Sequence, residues 1–203
     1  MKALLLIDIQ NDFVPGGALA VPGGADIIPL VNRLQPHFDL VVATQDWHPA
    51  GHLSFASSHP GQQQYDRIEL YGLAQVLWPD HCVQGTAGAE LHPALDQHRI
   101  EAIFRKGMAR EIDSYSGFFD NGHRRSTGLA AYLRGRDVTE VYLAGLAADY
   151  CVFYSAKDAR GQGFSTFVIE DATRAISPEG FEQARAELHQ LGGRVVHSRE
   201  LLG

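Results

Sequence analysis

The sequence predicts an α/β fold, a six-stranded parallel sheet flanked by helices in a three-layer sandwich. Three observations carry this prediction. Six short apolar runs are spaced along the chain, and helical periodicity separates several of them. The first two runs show no polar alternation, which marks strands buried on both faces. With 203 residues, 45% of them hydrophobic, the chain can build one sizeable core. No repeat, low-complexity segment or linker interrupts it, so a single domain over 1–203 is expected.

The elements follow in order. Residues 2–9 form the first apolar run, closing on Asp8 and Gln10, and Pro15-Gly-Gly17 and Pro22-Gly-Gly24 then break the chain. Ile27, Ile28, Val31 and Leu34 fall at helical spacing. Residues 40–44 are a second buried strand, ending at Gln45-Asp-Trp-His48. A long irregular region rich in Gly, Pro, Gln and Ser then runs from Pro49 to about Pro93. Loops of this length inside a compact domain are usually functional. Six of the ten histidines (His48, His52, His59, His81, His92, His98) fall in or beside it. Residues 100–104 form the third strand, 127–133 a helix, and 140–144 the fourth strand. A small-residue turn, Gly145-Leu-Ala-Ala148, leads to Cys151 and a helix over 152–160. The fifth strand (166–169), a helix opened by a Ser177-Pro178 cap (178–191) and a sixth short strand (194–197) complete the chain.

Composition narrows the function. Seventeen basic residues against 24 acidic give a formal charge of −7 with no basic run, which removes the usual drive toward nucleic acid or anionic membrane. The N-terminal apolar run stops at Asp8 without a cleavage signal, and no stretch approaches the roughly 18 apolar residues of a membrane span. Two cysteines, Cys82 and Cys151, do not make a secreted disulfide scaffold. A cytoplasmic protein acting on a small molecule is expected, and its oligomeric state is left open.

Each of the first four strands ends near a reactive side chain: Asp8, Asp46, Lys106 and Cys151. In open α/β sheets the carboxyl ends of strands gather ligands where strand order reverses. A cysteine there needs a base or a cationic neighbour. Asp8 can accept the thiol proton and Lys106 can stabilise charge, so a cysteine hydrolase without a catalytic histidine is chemically complete. A position at a helix N-terminus would favour thiolate over thiol. In extended backbone, residues two apart point the same way, so Asp46 and His48 can share a metal. Further ligands would come from His52 or His81. Cys82, beside His81, reads instead as a packed free cysteine.

Six blocks then carry a resemblance: Asp8-Ile-Gln-Asn-Asp-Phe13, Thr44-Gln-Asp-Trp-His-Pro49, Trp78-Pro-Asp-His-Cys-Val83, Phe104-Arg-Lys-Gly107, Ser114-Tyr-Ser-Gly-Phe118 and Gly145-Leu-Ala-Ala-Asp-Tyr-Cys-Val152. In this order they span nearly the whole chain, which resembles the nicotinamidases of the isochorismatase-like cysteine hydrolase superfamily. The resemblance implies strand order 3-2-1-4-5-6 and a catalytic triad of Asp8, Lys106 and Cys151. It implies one divalent metal, zinc first and iron or manganese as alternatives, held by Asp46, His48 and His81, with His52 left open. It implies a cis Leu146–Ala147 peptide, an oxyanion hole from the N–H groups of Ala147 and Cys151, and substrate contacts from Phe13, Trp78, Tyr115, Leu146 and Tyr150. The implied reaction is hydrolysis of nicotinamide, and of pyrazinamide, to the acid and ammonia through a cysteine thioester, in NAD salvage. A related cysteine amidase acting on an N-carbamoyl or ureido substrate is the alternative, with less use for the histidines. Ala148 stands where such proteins commonly carry threonine.

Overall fold

The computed structural model describes residues 1–202. Its sheet comprises β1 (Lys2–Ile7), β2 (Leu40–Asp46), β5 (Ile100–Lys106), β6 (Glu140–Leu146), β7 (Ser165–Arg174) and β8 (Arg194–Val196). They lie in the order β5-β2-β1-β6-β7-β8, with every neighbouring pair parallel. Ranked by sequence, that order is 3-2-1-4-5-6, as the resemblance implies. Strand order therefore reverses between β1 and β6.

The absence of alternation in β1 has its expected cause. Leu4 and Leu6 enter one core, while Ala3, Leu5 and Ile7 enter the other. The first core is closed by α1 (Ile28–Leu34) through Ile28, Val31 and Leu34. The second is closed by α2 (Leu129–Gly135), α3 (Phe153–Gly161) and α4 (Pro178–Gln190), through residues such as Leu133, Ala156 and Leu188. Each fully buried Leu or Ile contributes about 1.5–3 kcal/mol, so the two faces together supply the main driving force. The expected Ser177 cap is present, its side chain accepting the Gly180 N–H at 3.1 Å. A last short helix, α5 (Arg199–Leu202), ends the described chain.

The long irregular region contains a hairpin that the sequence reading leaves out, β3 (Arg67–Leu70) paired antiparallel with β4 (Leu73–Val76). Its turn places Tyr71 at φ 50° and Gly72 at φ 80°. Two positive φ values suit a tight hairpin turn, but a tyrosine at the first lacks the usual Asn or Asp signature. The rest of the region is stitched to the sheet's carboxyl edge. His48 N–H donates to the Cys82 carbonyl at 3.0 Å and Gln84 N–H to the His48 carbonyl at 2.8 Å, while Phe55 bridges to Trp78. Gln10 ties two strand ends together: its side-chain oxygen accepts the Asp46 N–H and its amide donates to the Asp46 carbonyl, both at 2.8 Å. Among the described residues, no helix is long and apolar enough to cross a membrane.

Beside the reversal point, Gly145 has φ 127°, and a Cβ built there would lie 2.0 Å from the Ile7 carbonyl oxygen. Glycine lets β6 approach β1 at the level of Asp8. Gly145→Ala should lower unfolding stability by on the order of 3 kcal/mol through backbone strain and overpacking, read from urea denaturation.

Candidate active site

Asp8 follows β1 in the left-handed region, at φ 49°, and is fully buried. Thr44 fixes it: the Thr44 hydroxyl donates to Asp8 Oδ1 at 2.6 Å and accepts the Asp8 N–H at 3.2 Å. Asp46 and Lys106 are register partners at the ends of β2 and β5. Lys106 Nζ lies 2.8 Å from Asp8 Oδ2 and 3.1 Å from Asp46 Oδ1, and donates to the Ser114 carbonyl at 3.0 Å. It also stands 3.5 Å from Cys151 Sγ. The four strand-end residues singled out in the sequence therefore meet around one ammonium.

Burial alone would push Lys106 down, but the Asp46 and Asp8 carboxylates hold it well above the ordinary lysine value. Asp8 moves up, because burial outweighs the pull of Lys106. Burial also pushes the Cys151 thiol well up; Lys106 opposes this, while Asp8 and Asp46 add to it. Burial thus works against the pull toward thiolate expected at a helix N-terminus. Residues Ala148–Val152 form a single π-helical turn, with Val152 N–H donating to the Ala147 carbonyl at 3.1 Å, and α3 starts only at Phe153. Such turns recur at functional sites because they re-aim one side chain without ending the helix. The Leu146–Ala147 peptide leading into it is cis.

Asp46, His48 and His81 form a second set, their ligand atoms all within 4.8 Å of one another. Asp46 Oδ2 lies 3.1 Å from His48 Nε2 and 3.5 Å from His81 Nε2. His48 Nδ1 is 3.0 Å from the Gly107 carbonyl, and His81 Nδ1 is 2.8 Å from the Pro79 carbonyl. A ring nitrogen facing a carbonyl is the protonated one, so in the neutral rings both Nε2 atoms carry free lone pairs. His48 Nε2 is buried without a hydrogen-bond partner. Two imidazoles and one carboxylate, with His48 Nε2 orphaned, are a donor set that fits a divalent cation. Gly107 makes the arrangement possible, since a Cβ there would lie 2.5 Å from His48 Cε1.

His52 is not in this set. Its Nδ1 is 2.8 Å from Ser54 Oγ and its Nε2 is 2.9 Å from the Ala109 carbonyl, so both ring nitrogens are engaged. It packs on His48 with ring centroids 4.4 Å apart. Cys82 is fully buried in the core, its N–H donating to Asp12 Oδ2 at 2.7 Å, and both cysteines are free.

Cys151 of the triad and Asp46 and His81 of the ligand set open on one cleft. Phe13, Trp78, Tyr115 and Tyr150 wall it, with Asp46, His81, Ala147 and Cys151 exposed to its interior. Trp78 meets Tyr150 edge-on at 4.9 Å, and Tyr115 meets Tyr150 at 5.4 Å, so the wall is an interlocked aromatic cluster. Leu146, expected among the substrate contacts, belongs instead to the core, with its side chain against Gly24, and the cleft lining does not include it. The lining also includes Leu19, Asp113 and Ile176, none of which the sequence reading named.

The isochorismatase domain model matches residues 2–200. The chain belongs to the isochorismatase family. A nicotinamidase of Acinetobacter baylyi is 50% identical over 201 residues, covering 98% of this chain and 94% of the relative. A solved nicotinamidase/pyrazinamidase from Acinetobacter baumanii is 48% identical with a TM-score of 0.97, covering 99% of this chain and 98% of the other. The pyrazinamidase of Pyrococcus horikoshii, solved in complex with zinc, is 38% identical with a TM-score of 0.79, covering 97% and 98%.

Removing the shared cation should expose the electrostatic cost of the site. Lys106→Met leaves Asp8 and Asp46 buried without a counter-charge. It should destabilise the metal-free fold by about 3–5 kcal/mol in a denaturant titration, with much of the loss recovered in the Asp8→Asn/Lys106→Met double variant.

Proposed function

We propose that this isochorismatase-family enzyme hydrolyses nicotinamide to nicotinate and ammonia through a thioester on Cys151, and acts on pyrazinamide in the same way. The observation that carries this reading is the continuous contact from Asp8 through Lys106 to Cys151, opening on the same aromatic cleft as Asp46 and His81. The similarity to nicotinamidases over almost the full chain supports the substrate. On this reading the chain is one hydrolase domain whose loop region at about 47–93 binds metal and substrate. Its setting is salvage of the pyridine ring for NAD in the cytoplasm.

The carboxamide lies over Cys151, with the ring between Phe13, Trp78, Tyr115 and Tyr150. Proton transfer from the Cys151 thiol to Asp8 accompanies attack of Sγ on the carbonyl carbon. Lys106 holds the Asp8 carboxylate in place and stabilises negative charge on sulfur as it develops. The N–H groups of Ala147 and Cys151 receive the oxyanion, each donor contributing roughly 3 kcal/mol. Asp8 returns its proton to the departing nitrogen, the C–N bond breaks and ammonia leaves. Asp8 next takes a proton from water, which attacks the thioester and releases nicotinate. Asp46, His48 and His81 would hold a divalent ion, zinc on our reading and in line with the zinc-bound relative, that anchors and polarises the ring nitrogen.

Cys151→Ala should abolish ammonia release while nicotinamide still binds in calorimetry. Appreciable turnover by that variant would remove the thioester mechanism. The amide series tests recognition of the ring. Nicotinamide and pyrazinamide, with nitrogen meta to the carboxamide carbon, should both be hydrolysed. Picolinamide and isonicotinamide displace that nitrogen by one ring position, and a misplacement of about 1 Å can cost roughly a hundredfold in kcat/KM. Benzamide turned over as well as nicotinamide would separate the Asp46–His48–His81 set from substrate and favour a broader amidase.

A further inference from the structure

Asp113 is a buried carboxylate that neither the triad nor the ligand set uses. It is 3% exposed and lies on the cleft wall with Asp46, His81 and Cys151. Its Oδ1 accepts the Ser114 N–H at 2.7 Å, and its Oδ2 accepts from Gln75 Nε2 at 3.1 Å. Gln75, from the β3–β4 hairpin, also reaches the Tyr115 hydroxyl at 3.2 Å, so this carboxylate is held from two sides. Oδ1 stands 3.9 Å from His48 Nε2, the nitrogen left without a hydrogen bond. Yet Asp113 does not join the group whose donor atoms all lie within 4.8 Å. It faces the ligand set from just outside it.

The charges give this position a purpose. Asp46 and Asp113 are buried carboxylates on the cleft wall, and the buried Lys106 pairs with Asp46 and Asp8. A divalent cation held by Asp46, His48 and His81 would meet in Asp113 a second buried carboxylate. Asp46 cannot match that cation alone, since its Oδ1 is already bound to Lys106 at 3.1 Å. We propose that Asp113 is a positioning residue for the divalent ion, accepting a hydrogen bond from water carried on the ion and supplying the second negative charge that retains it. The inference rests on the ligand set assigned under the proposed function. Groups of this kind, one step outside the direct ligands, typically govern metal affinity by about 10–100-fold.

The test is metal binding, independent of turnover. Metal-free wild type, Asp113→Asn, Gln75→Leu and His81→Ala are titrated with zinc against a chromophoric chelator, and each is melted with and without zinc. Asp113→Asn should bind zinc about 10–100-fold more weakly, while its metal-free melting temperature does not fall, because a buried repulsion has been relieved. Gln75→Leu, which keeps the carboxylate but removes its donor, should weaken binding by a smaller factor; it decides the matter should Asp113→Asn fail to fold. Wild-type affinity in both variants, with His81→Ala impaired, would overturn the role of Asp113 and leave the ligand set standing. Wild-type affinity in His81→Ala as well would overturn the ligand set itself. A loss of metal-free stability in Asp113→Asn with unchanged zinc affinity would make Asp113 a fold residue only, and the proposal would fall.

Discussion

One buried ammonium holds the site together. Lys106 Nζ is shared among Asp8, Asp46 and the Ser114 carbonyl, and it is also the polar neighbour of the Cys151 sulfur. These partners come from the ends of β1 and β2, the loop after β5 and the turn after β6. Hydrophobic burial cannot fix such a meeting point, because it is non-directional. An ion pair in low dielectric can, since leaving either carboxylate unpaired costs several kcal/mol. The sheet brings the strand ends within reach, and Lys106 fixes where their side chains stop.

Much of this was legible in the residues. Unalternating apolar runs announced β1 and β2, and the reactive side chains at strand ends announced where the chemistry lies. Strand order did not follow from the runs themselves; it came with the resemblance, because many topologies bury the same six strands. The β3–β4 hairpin was hidden because Arg67–Leu70 and Leu73–Val76 are only four residues each and bury little, and Tyr71 gives no turn signature. Helical periodicity alone does not separate a π turn from the first turn of α3, so Cys151 read as helix-capped. His52 was a reasonable ligand from spacing, but Ser54 and the Ala109 carbonyl occupy its nitrogens, and spacing cannot report that. Asp113 went unnoticed for a similar reason. In sequence it is one acid in a polar loop, and only the fold sets it beside His48.

The upward push of burial on the Cys151 thiol bears on how the nucleophile works. A preformed thiolate is available to any electrophile or oxidant that reaches it, whereas a thiol raised by burial is quiet until a base and a substrate are both in place. Asp8, also raised by burial, is a stronger base than an exposed carboxylate. The same desolvation therefore makes the sulfur a weaker acid and its partner a stronger base. The two shifts oppose one another in energy, but together they tie ionisation of the thiol to a bound carbonyl. Lys106 keeps that coupling affordable by remaining charged beside both groups.

Asp46 links this chemistry to the second half of the cleft. Its Oδ1 meets Lys106 at 3.1 Å, while its Oδ2 faces His48 at 3.1 Å and His81 at 3.5 Å. One carboxylate thus belongs to the triad's charge network and to the candidate metal set at once. A cation held by Asp46, His48 and His81 would draw charge from Asp46 and so weaken its hold on Lys106. Two sites built from separate loops would have no such exchange, and could be altered one at a time. Here one cleft touches both Cys151 and Asp46, so on the proposed reading a ring held at one end would present its carboxamide at the other, and Asp46 makes the electrostatics of the two ends a single problem.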